Sequence, residues 1–453
     1  MNHSTPNLTL LPVCLAILIL APYANPASAA DRLRVMVETD AGGDPDDEQS
    51  LVRFLLYSNE WEIEAIIANR PRARDGENKN AERTGPAIVR RLINVYGECH
   101  PNLIQHDPRF PKPEQLLARV LVGYGENPPA VERIIEAVDS NDSRPLWFMN
   151  WGTDDGSAPS CLKLALDRIL KERGPEGYAK FKNRIRLSSS DKFGDHTFKI
   201  DPPFQIWVDT FRPPVDGKRW YHRFSSITAT AGGFDLMRDC LTGHGPLGAL
   251  YPTNTTHWQK EGDTMTFLYL VPTGMNDPEQ PAWGSWAGRY GPQDDTNGKP
   301  YFWANQRDTW NGTTHRDNSL IRFAADLQND FRARLDWCVK SKDEANHRPL
   351  AHLNGTTGHS PLTLQANAGT QITLTAEGSN DPNRNDLSYH WTSYLESTAY
   401  KTEPKIHFPT NITTKISLPS DPGELHLLLT IRDNGLPPLT TYRRAIIQIS
   451  PPR

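Results

Sequence analysis

The stretch Val37-Glu-Thr-Asp-Ala-Gly-Gly-Asp-Pro-Asp-Asp-Glu48 decides the fold, because it places six acidic residues between a short apolar run and an amphipathic one. Carboxylates this close together repel each other at neutral pH. A hard cation such as calcium or magnesium binds oxygen ligands and would relieve that repulsion. The stretch therefore predicts a metal site at a turn between a strand and a helix. The alternative is that Asp46 and Asp47 only cap the helix, which would account for one or two of the carboxylates.

The flanking sequence predicts an α/β fold. Residues 34–38 alternate as a strand, residues 46–57 carry an apolar helical face, and residues 61–68 form the next strand. A strand, a helix and a strand at this spacing indicate a parallel βαβ unit. Further helices are predicted over 81–96, 129–138, 161–173 and 318–339, with a buried strand over 145–149. We expect an open, mostly parallel sheet with helices on both faces, and ligands at the carboxyl ends of its strands.

The pattern changes after residue 349. Short alternating runs cover 372–375, 387–391, 415–418 and 425–431, and turn residues such as those at 379–382 and 433–438 separate them. This pattern is typical of a small β-sandwich of the immunoglobulin or PKD type. The predicted organisation is a leader over 1–30, an α/β domain over 31–345 and a sandwich over 349–453.

The first thirty residues contain no Asp, Glu, Lys or Arg. An apolar stretch over 8–21 precedes the small-residue pattern Ala27-Ser28-Ala29, which predicts a secretory signal peptide and a secreted or periplasmic protein. The net charge of −5 offers no basic surface for a nucleic acid polymer or a membrane. A homo-oligomer is compatible with the sequence.

Four cysteines follow the leader: Cys99, Cys161, Cys240 and Cys338. An even number in an oxidising compartment permits two disulfides with three connectivities. Isolated buried thiols are the alternative.

The acidic turn resembles that of the nucleoside hydrolases, whose first strand ends in a calcium-binding Asp-x-Asp-x-Gly-x-Asp-Asp motif. Here Glu38 stands for the first Asp, Asp40 for the second, and Asp46-Asp47 for the final pair, with two extra residues that include Asp44.

Three later turns extend the resemblance. Ala68-Asn69 is similar to the Gly-Asn that contacts the sugar in that family. Trp151-Gly152-Thr153-Asp154 resembles the turn whose backbone carbonyl ligates the metal. Glu261-Gly-Asp-Thr264 resembles the late turn that supplies the last metal carboxylate. The stretches 39–53, 245–252, 283–289, 328–331 and 440–444 most resemble nucleoside hydrolase-like, cellulose-binding proteins, a secreted branch with a C-terminal sandwich.

The resemblance implies a chemistry and a set of residues. Calcium would be held by Asp40, Asp46, Asp47, Asp263 and the carbonyl of Trp151, with Asp40 as general base. Asn69, Asp44 and Glu261 would contact a nucleoside-like or carbohydrate substrate, cellulose or another plant polysaccharide among them. Water would then attack an anomeric carbon, as in inverting glycosidases.

The sequence also departs from that family. Gly262 occupies the place of the histidine that would protonate the leaving group, for which His257 or His244 are substitutes, and residues 186–195 lack the family's sugar-contact block. Two hypotheses follow. The protein is a calcium-dependent hydrolase of N-glycosyl or related glycosidic bonds, or it is a polysaccharide-binding protein that has lost turnover. A third hypothesis is a domain in which calcium has only a structural role.

Six aromatic residues crowd the region after the late turn. Such rings stack on the apolar faces of sugars, although ordinary packing explains them equally well. They are Trp283, Trp286, Tyr290, Tyr301, Trp303 and Trp310. Arg289, among them, is a candidate partner for an anionic group or for Asp294.

Overall fold

The computed structural model describes residues 32–43, 45–75, 81–152, 158–190, 204–209, 211–212, 221–253, 259–292 and 301–452. The predicted leader, Asp44, the Thr153-Asp154 pair, His257 and Asp294 lie outside these residues. Within them, no helix is both long enough and apolar enough to cross a membrane.

An eight-stranded sheet organises the N-terminal part of the chain. Its strands are β1 (Arg34–Thr39), β2 (Glu62–Ala68), β3 (Val120–Val122), β4 (Leu146–Trp151), β5 (Ile185–Ser189), β6 (Phe204–Trp207), β9 (Gly291–Pro292) and β10 (Tyr301–Trp303). The order is β3-β2-β1-β4-β5-β6-β10-β9, and every neighbouring pair is parallel except β10 with β9. The predicted parallel α/β sheet is confirmed.

Helices cover both faces of the sheet. They are α1 (Asp46–Leu56), α2 (Gly85–His106), α3 (Pro113–Leu117), α4 (Pro129–Asp139), α5 (Cys161–Lys182), α6 (Arg223–Thr228), α7 (Gly245–Ala249), α8 (Thr264–Leu268), α9 (Asn318–Ile321) and α10 (Ala324–Asp336). Val35 and Val37 of β1 pack with α1 and α2, whereas Met36 packs with α4 and α5 on the opposite face. This alternation follows from the two-residue period of a strand.

The predicted helices differ from the structure mainly at their ends. The helix predicted over 81–96 continues to His106, and the one over 161–173 continues to Lys182 across a break at Gly174, where φ is 65°. The helix predicted over 318–339 divides into α9 and α10.

The C-terminal part consists of two further sheets. Their strands are β13 (Leu362–Asn367), β14 (Gln371–Thr375), β15 (Leu387–Ser393), β16 (Lys405–His407), β17 (Thr413–Ser417), β18 (Gly423–Asp433) and β19 (Thr440–Ser450). The orders are β13-β19-β18-β15 and β14-β17-β16, and residues from both sheets, with Trp391 among them, bury one core between them. A sandwich-like arrangement is therefore confirmed. Two short hairpins lie outside these sheets: β7 (Phe211–Arg212) with β8 (Tyr221–His222), and β11 (Asp308–Trp310) with β12 (Thr313–His315).

The four cysteines of the described chain are free thiols, and all four are buried. Of the two alternatives open at the sequence level, the structure has buried thiols rather than disulfides.

Candidate functional site

Three carboxylates meet at the carboxyl edge of the sheet. Asp46 and Asp47 open α1, and Asp263 directly precedes α8, more than two hundred residues later in the chain. One oxygen from each lies within 4.8 Å of the others. Asp47 and Asp263 are buried, whereas Asp46 is partly open to solvent. Among the described residues this is the one group of acidic, histidine or cysteine side chains close enough to hold a metal ion.

Helix α1 brings Asp263 to this position. Gln49 accepts hydrogen bonds from the backbone N–H groups of Lys260 and Glu261 at 2.7 and 3.2 Å. One turn further on, Arg53 donates from Nε to Glu261 at 2.6 Å. Gln49 and Arg53 lie four residues apart and therefore share one face of the helix. Together they hold the loop before α8 so that Asp263 faces the start of α1.

Glu261 lies inside this network. Its side chain is fully buried, and its oxygens accept hydrogen bonds from Arg53, from the Tyr251 hydroxyl at 2.8 Å, and from Gln259 at 2.6 Å. These contacts hold the loop in place, and the substrate contact of Glu261 stays a prediction.

The surroundings of Asp47 disfavour the charged form of its carboxyl group. Its Oδ1 accepts hydrogen bonds from the backbone N–H of Asp40 at 3.1 Å and from the Thr39 hydroxyl. Burial raises the pKa of the Asp47 carboxyl well above its usual range, and the nearby charges of Asp40 and Asp263 raise it further. A cation bound between these carboxylates would offset both effects.

Asp40 has a cationic partner that the sequence did not reveal. The Arg70 guanidinium donates to Asp40 Oδ2 at 2.6 Å and to the Asp40 carbonyl at 3.0 Å. Arg70 follows β2, and the parallel pairing of β2 with β1 carries it to the same edge of the sheet. The turn leaves little room here, since a Cβ at Gly43 would lie 3.1 Å from both Arg70 Nη2 and Asp40 Oδ2.

Glu38, which stands for the first Asp of the motif, turns away from the acidic cluster. Its carboxylate accepts hydrogen bonds from the Ser160 hydroxyl and the Cys161 backbone N–H, both at 2.8 Å. Glu38 therefore anchors the N-terminus of α5, where a negative charge is favourable.

Two buried amides near Glu38 have side-chain atoms that lack hydrogen-bond partners. Asn69 donates weakly to Glu38 at 3.5 Å, but its Oδ1 has no partner, and neither amide atom of Asn150 has one. Asn69 follows β2, and Asn150 lies in β4 opposite Glu38 of β1. Buried polar atoms are rarely left unsatisfied, so these amides are available to a ligand or to water.

Trp151 is the last residue of β4 and pairs with Thr39, the last residue of β1. Its backbone therefore lies close to Asp40, which follows Thr39. Its indole N–H donates to the Thr266 hydroxyl at 2.6 Å, which fixes α8 against the strand. The position of Trp151 is compatible with the prediction that its backbone carbonyl binds the metal, and that role stays a prediction.

The residues present fit a hard cation. Three carboxylates converge, and burial together with the charges of Asp40 and Asp263 raises the pKa of one of them, Asp47. Oxygen donors of this kind suit calcium or magnesium rather than zinc.

Two family models match the chain: one described as "Cellulose-binding Sde182, nucleoside hydrolase-like domain" over residues 34–290, and one described as "Cellulose-binding protein Sde0182, C-terminal domain" over residues 371–449. The first alone spans more than half of the chain. This chain belongs to the nucleoside hydrolase-like, cellulose-binding Sde182 family.

Among solved structures, a nucleoside hydrolase-related hypothetical protein from Saccharophagus degradans, described as associated with carbohydrate metabolism, matches 93% of this chain and 100% of its own, with 27% identity and a TM-score of 0.71. A PKD domain from the KIAA 1837 protein covers 22% of this chain and 94% of its own, with 15% identity and a TM-score of 0.17. Human CDH23 EC21-23 covers 22% of this chain and 33% of its own, with 14% identity and a TM-score of 0.16. The last two likenesses are too low to support an argument. No curated protein matches the chain.

Within this family framework, His244 and part of the aromatic region make contacts away from the acidic cluster. His244 faces Asp336 of α10 at 3.3 Å and the Arg238 carbonyl at 3.1 Å, so its contacts lie with α10 rather than with the acidic cluster. Trp286 and Tyr290 belong to the core. Arg289 pairs with Asp308 at 2.7 Å, a partner that the sequence did not indicate.

Proposed function

We propose that this protein is a calcium-dependent hydrolase of N-glycosyl bonds or of related glycosidic bonds in carbohydrates. The convergence of Asp46, Asp47 and Asp263 at the carboxyl edge of a nucleoside hydrolase-like sheet carries the proposal. The family's description as cellulose-binding supports a carbohydrate ligand. The predicted leader over residues 1–30 supports action outside the cytoplasm.

The residues around the cluster have distinct roles in this proposal. Calcium, when bound by the three carboxylates, would supply charge that polarises water and sugar hydroxyls. Asp40, oriented by Arg70, accepts the proton of the attacking water as general base. The amide oxygen of Asn69, which lacks a protein partner, accepts a hydrogen bond from a sugar hydroxyl.

The reaction balances without any further reagent. The water oxygen bonds to the anomeric carbon, and the bond from that carbon to the leaving nitrogen or oxygen breaks. The leaving group takes a proton from solvent, and Asp40 releases to solvent the proton that it accepted from the water. In this proposal solvent donates the proton to the leaving group, since His244 faces α10.

One observation favours a second candidate function. Arg70 holds both the carboxylate and the carbonyl of Asp40, so the predicted base is already engaged. A protein that binds polysaccharide through the same cation, without turnover, would tolerate this ion pair better than an enzyme would.

Sugar release separates the two candidates. The purified protein is incubated with nucleosides, aryl ribosides and cello-oligosaccharides in calcium or in EGTA, and reducing sugar is measured. Release that stops in EGTA and in Asp263→Asn, but persists in Asp343→Asn, supports the hydrolase; Asp343 is an exposed carboxylate in the linker before the C-terminal part. Absence of release for every substrate, with calcium-dependent retention on insoluble cellulose, supports the binder.

A further inference from the structure

A cavity lies between the two parts of the chain. It has a volume of about 320 Å³, and one wall is the outer face of the β15–β18 pair. The rest of the lining comes from Trp310 of β11, from Arg322 and Phe323 between α9 and α10, from Asp326 of α10 and from Tyr442 of β19. The volume is at the lower end of the range for small-molecule sites and suits one or two sugar rings.

The charged groups around this cavity are already paired. Asp326 accepts hydrogen bonds from Arg432 and from the Tyr442 hydroxyl, which joins the two parts of the chain. Arg322 donates to Asp308 at 3.3 Å and lies 3.6 Å from Glu396. Because each arginine has a carboxylate partner, the charges around the cavity do not favour an anionic ligand.

Hydrogen-bonding capacity remains on the sheet wall. His390 of β15 lies directly opposite Thr430 of β18. His390 is exposed and Thr430 is half-buried, and neither side chain hydrogen-bonds to any other described residue. An imidazole and a hydroxyl, side by side on one face of a sheet, both donate and accept hydrogen bonds, as a sugar hydroxyl requires.

An aromatic ring completes the site. Trp310, at the end of β11, is 37% exposed and lines the cavity. The Arg322 guanidinium lies over this indole, 5.1 Å from its centroid, and fixes its position. An indole held in place beside neutral hydrogen-bonding groups is suited to stacking on the apolar face of a pyranose.

We propose that this cavity is a second carbohydrate site, which binds a neutral oligosaccharide through stacking on Trp310 and hydrogen bonds to His390 and Thr430. The site goes beyond the proposed hydrolase centre because it uses none of the acidic cluster and needs no cation. It would hold a glycan chain at the junction of the two parts of the protein.

Calorimetric titration with cellohexaose in EGTA tests the site. We expect binding by the wild-type protein and by Asp263→Asn, since neither the cation nor the acidic cluster takes part. Trp310→Ala should weaken binding at least tenfold. Thr430→Tyr, which fills the cavity without removing a side-chain hydrogen bond of the described residues, should abolish binding. The matched control is Phe408→Ala, since Phe408 is an aromatic residue of the C-terminal part that is 61% exposed and does not line the cavity.

Two kinds of result overturn the proposal. No binding in EGTA, or loss of binding in Asp263→Asn, would place the saccharide at the acidic cluster instead. Unchanged binding in both Trp310→Ala and Thr430→Tyr would place it elsewhere on the surface. Failure of calcium-dependent sugar release, with cellohexaose binding retained, would count against the hydrolase and leave this site standing.

Discussion

Replacing Asp47 by Asn should stabilise the protein without calcium and destabilise it, relative to wild type, with calcium. The substitution removes one of three clustered charges but keeps an Oδ1 that can accept from the Asp40 N–H and the Thr39 hydroxyl. Two unit charges 4.8 Å apart, the outer limit of the cluster, repel by about 3.5 kcal/mol at an effective dielectric constant of 20. Screening and residual protonation reduce this, so we expect a gain of about 1–2 kcal/mol in EGTA.

Calcium should reverse the order. A ligand at one hundred times its dissociation constant stabilises the folded state by about 2.7 kcal/mol. Wild type should gain this amount, whereas Asp47→Asn, which lacks one ligand, should gain little.

Thermal unfolding at pH 8 in EGTA and in calcium measures both effects. Each kcal/mol corresponds to about 2 °C for a domain of this size. Asp343→Asn, the exposed control, should behave like wild type in both buffers. The reasoning is refuted if Asp47→Asn melts below wild type in EGTA and calcium raises both melting temperatures equally.

Three further predictions follow from other contacts. Arg53→Met should destabilise by about 3–5 kcal/mol, because it leaves Glu261 buried without its cation; in chemical denaturation, Arg53→Met/Glu261→Gln should recover part of that loss. Burial lowers the pKa of His106 to about 4, so up to about 3 kcal/mol of stability, fully present above pH 6.5, should be lost as the pH falls toward 4; a melting profile against pH should be flatter for His106→Gln, and an equal slope would contradict the assignment. Gly274→Ala should loosen the junction by more than about 2 kcal/mol, because the added Cβ would lie 1.9 Å from the Tyr442 carbonyl and φ at Gly274 is 85°; limited proteolysis unchanged from wild type would contradict it.

The sequence predicted the sheet and the acidic turn because both depend on local patterns. The apolar run before Asp40, the carboxylates at 46 and 47 and the next apolar strand lie within about thirty residues, and the βαβ rule then fixes their arrangement. Asp263 was expected at the metal site only through the resemblance of its turn, since no local pattern links it to residue 47, and the structure brings it to Asp46 and Asp47.

The partners that hold the site were not predictable in this way. From the sequence pattern, Arg53 is expected on the solvent-exposed side of a helix, yet its side chain is fully buried against Glu261. Arg70 reads as a loop residue after β2, yet it pairs with Asp40. Both pairings join residues that are distant in sequence, and a charge pattern alone does not specify which opposite charge a buried arginine will meet.

Calorimetric titration of calcium into EGTA-treated, desalted protein tests the central claim most directly. The account predicts a binding heat that Asp263→Asn abolishes and Asp343→Asn retains, because the three carboxylates form one site. Calcium binding of equal affinity and stoichiometry in wild type and Asp263→Asn, or no binding by wild type, would contradict it.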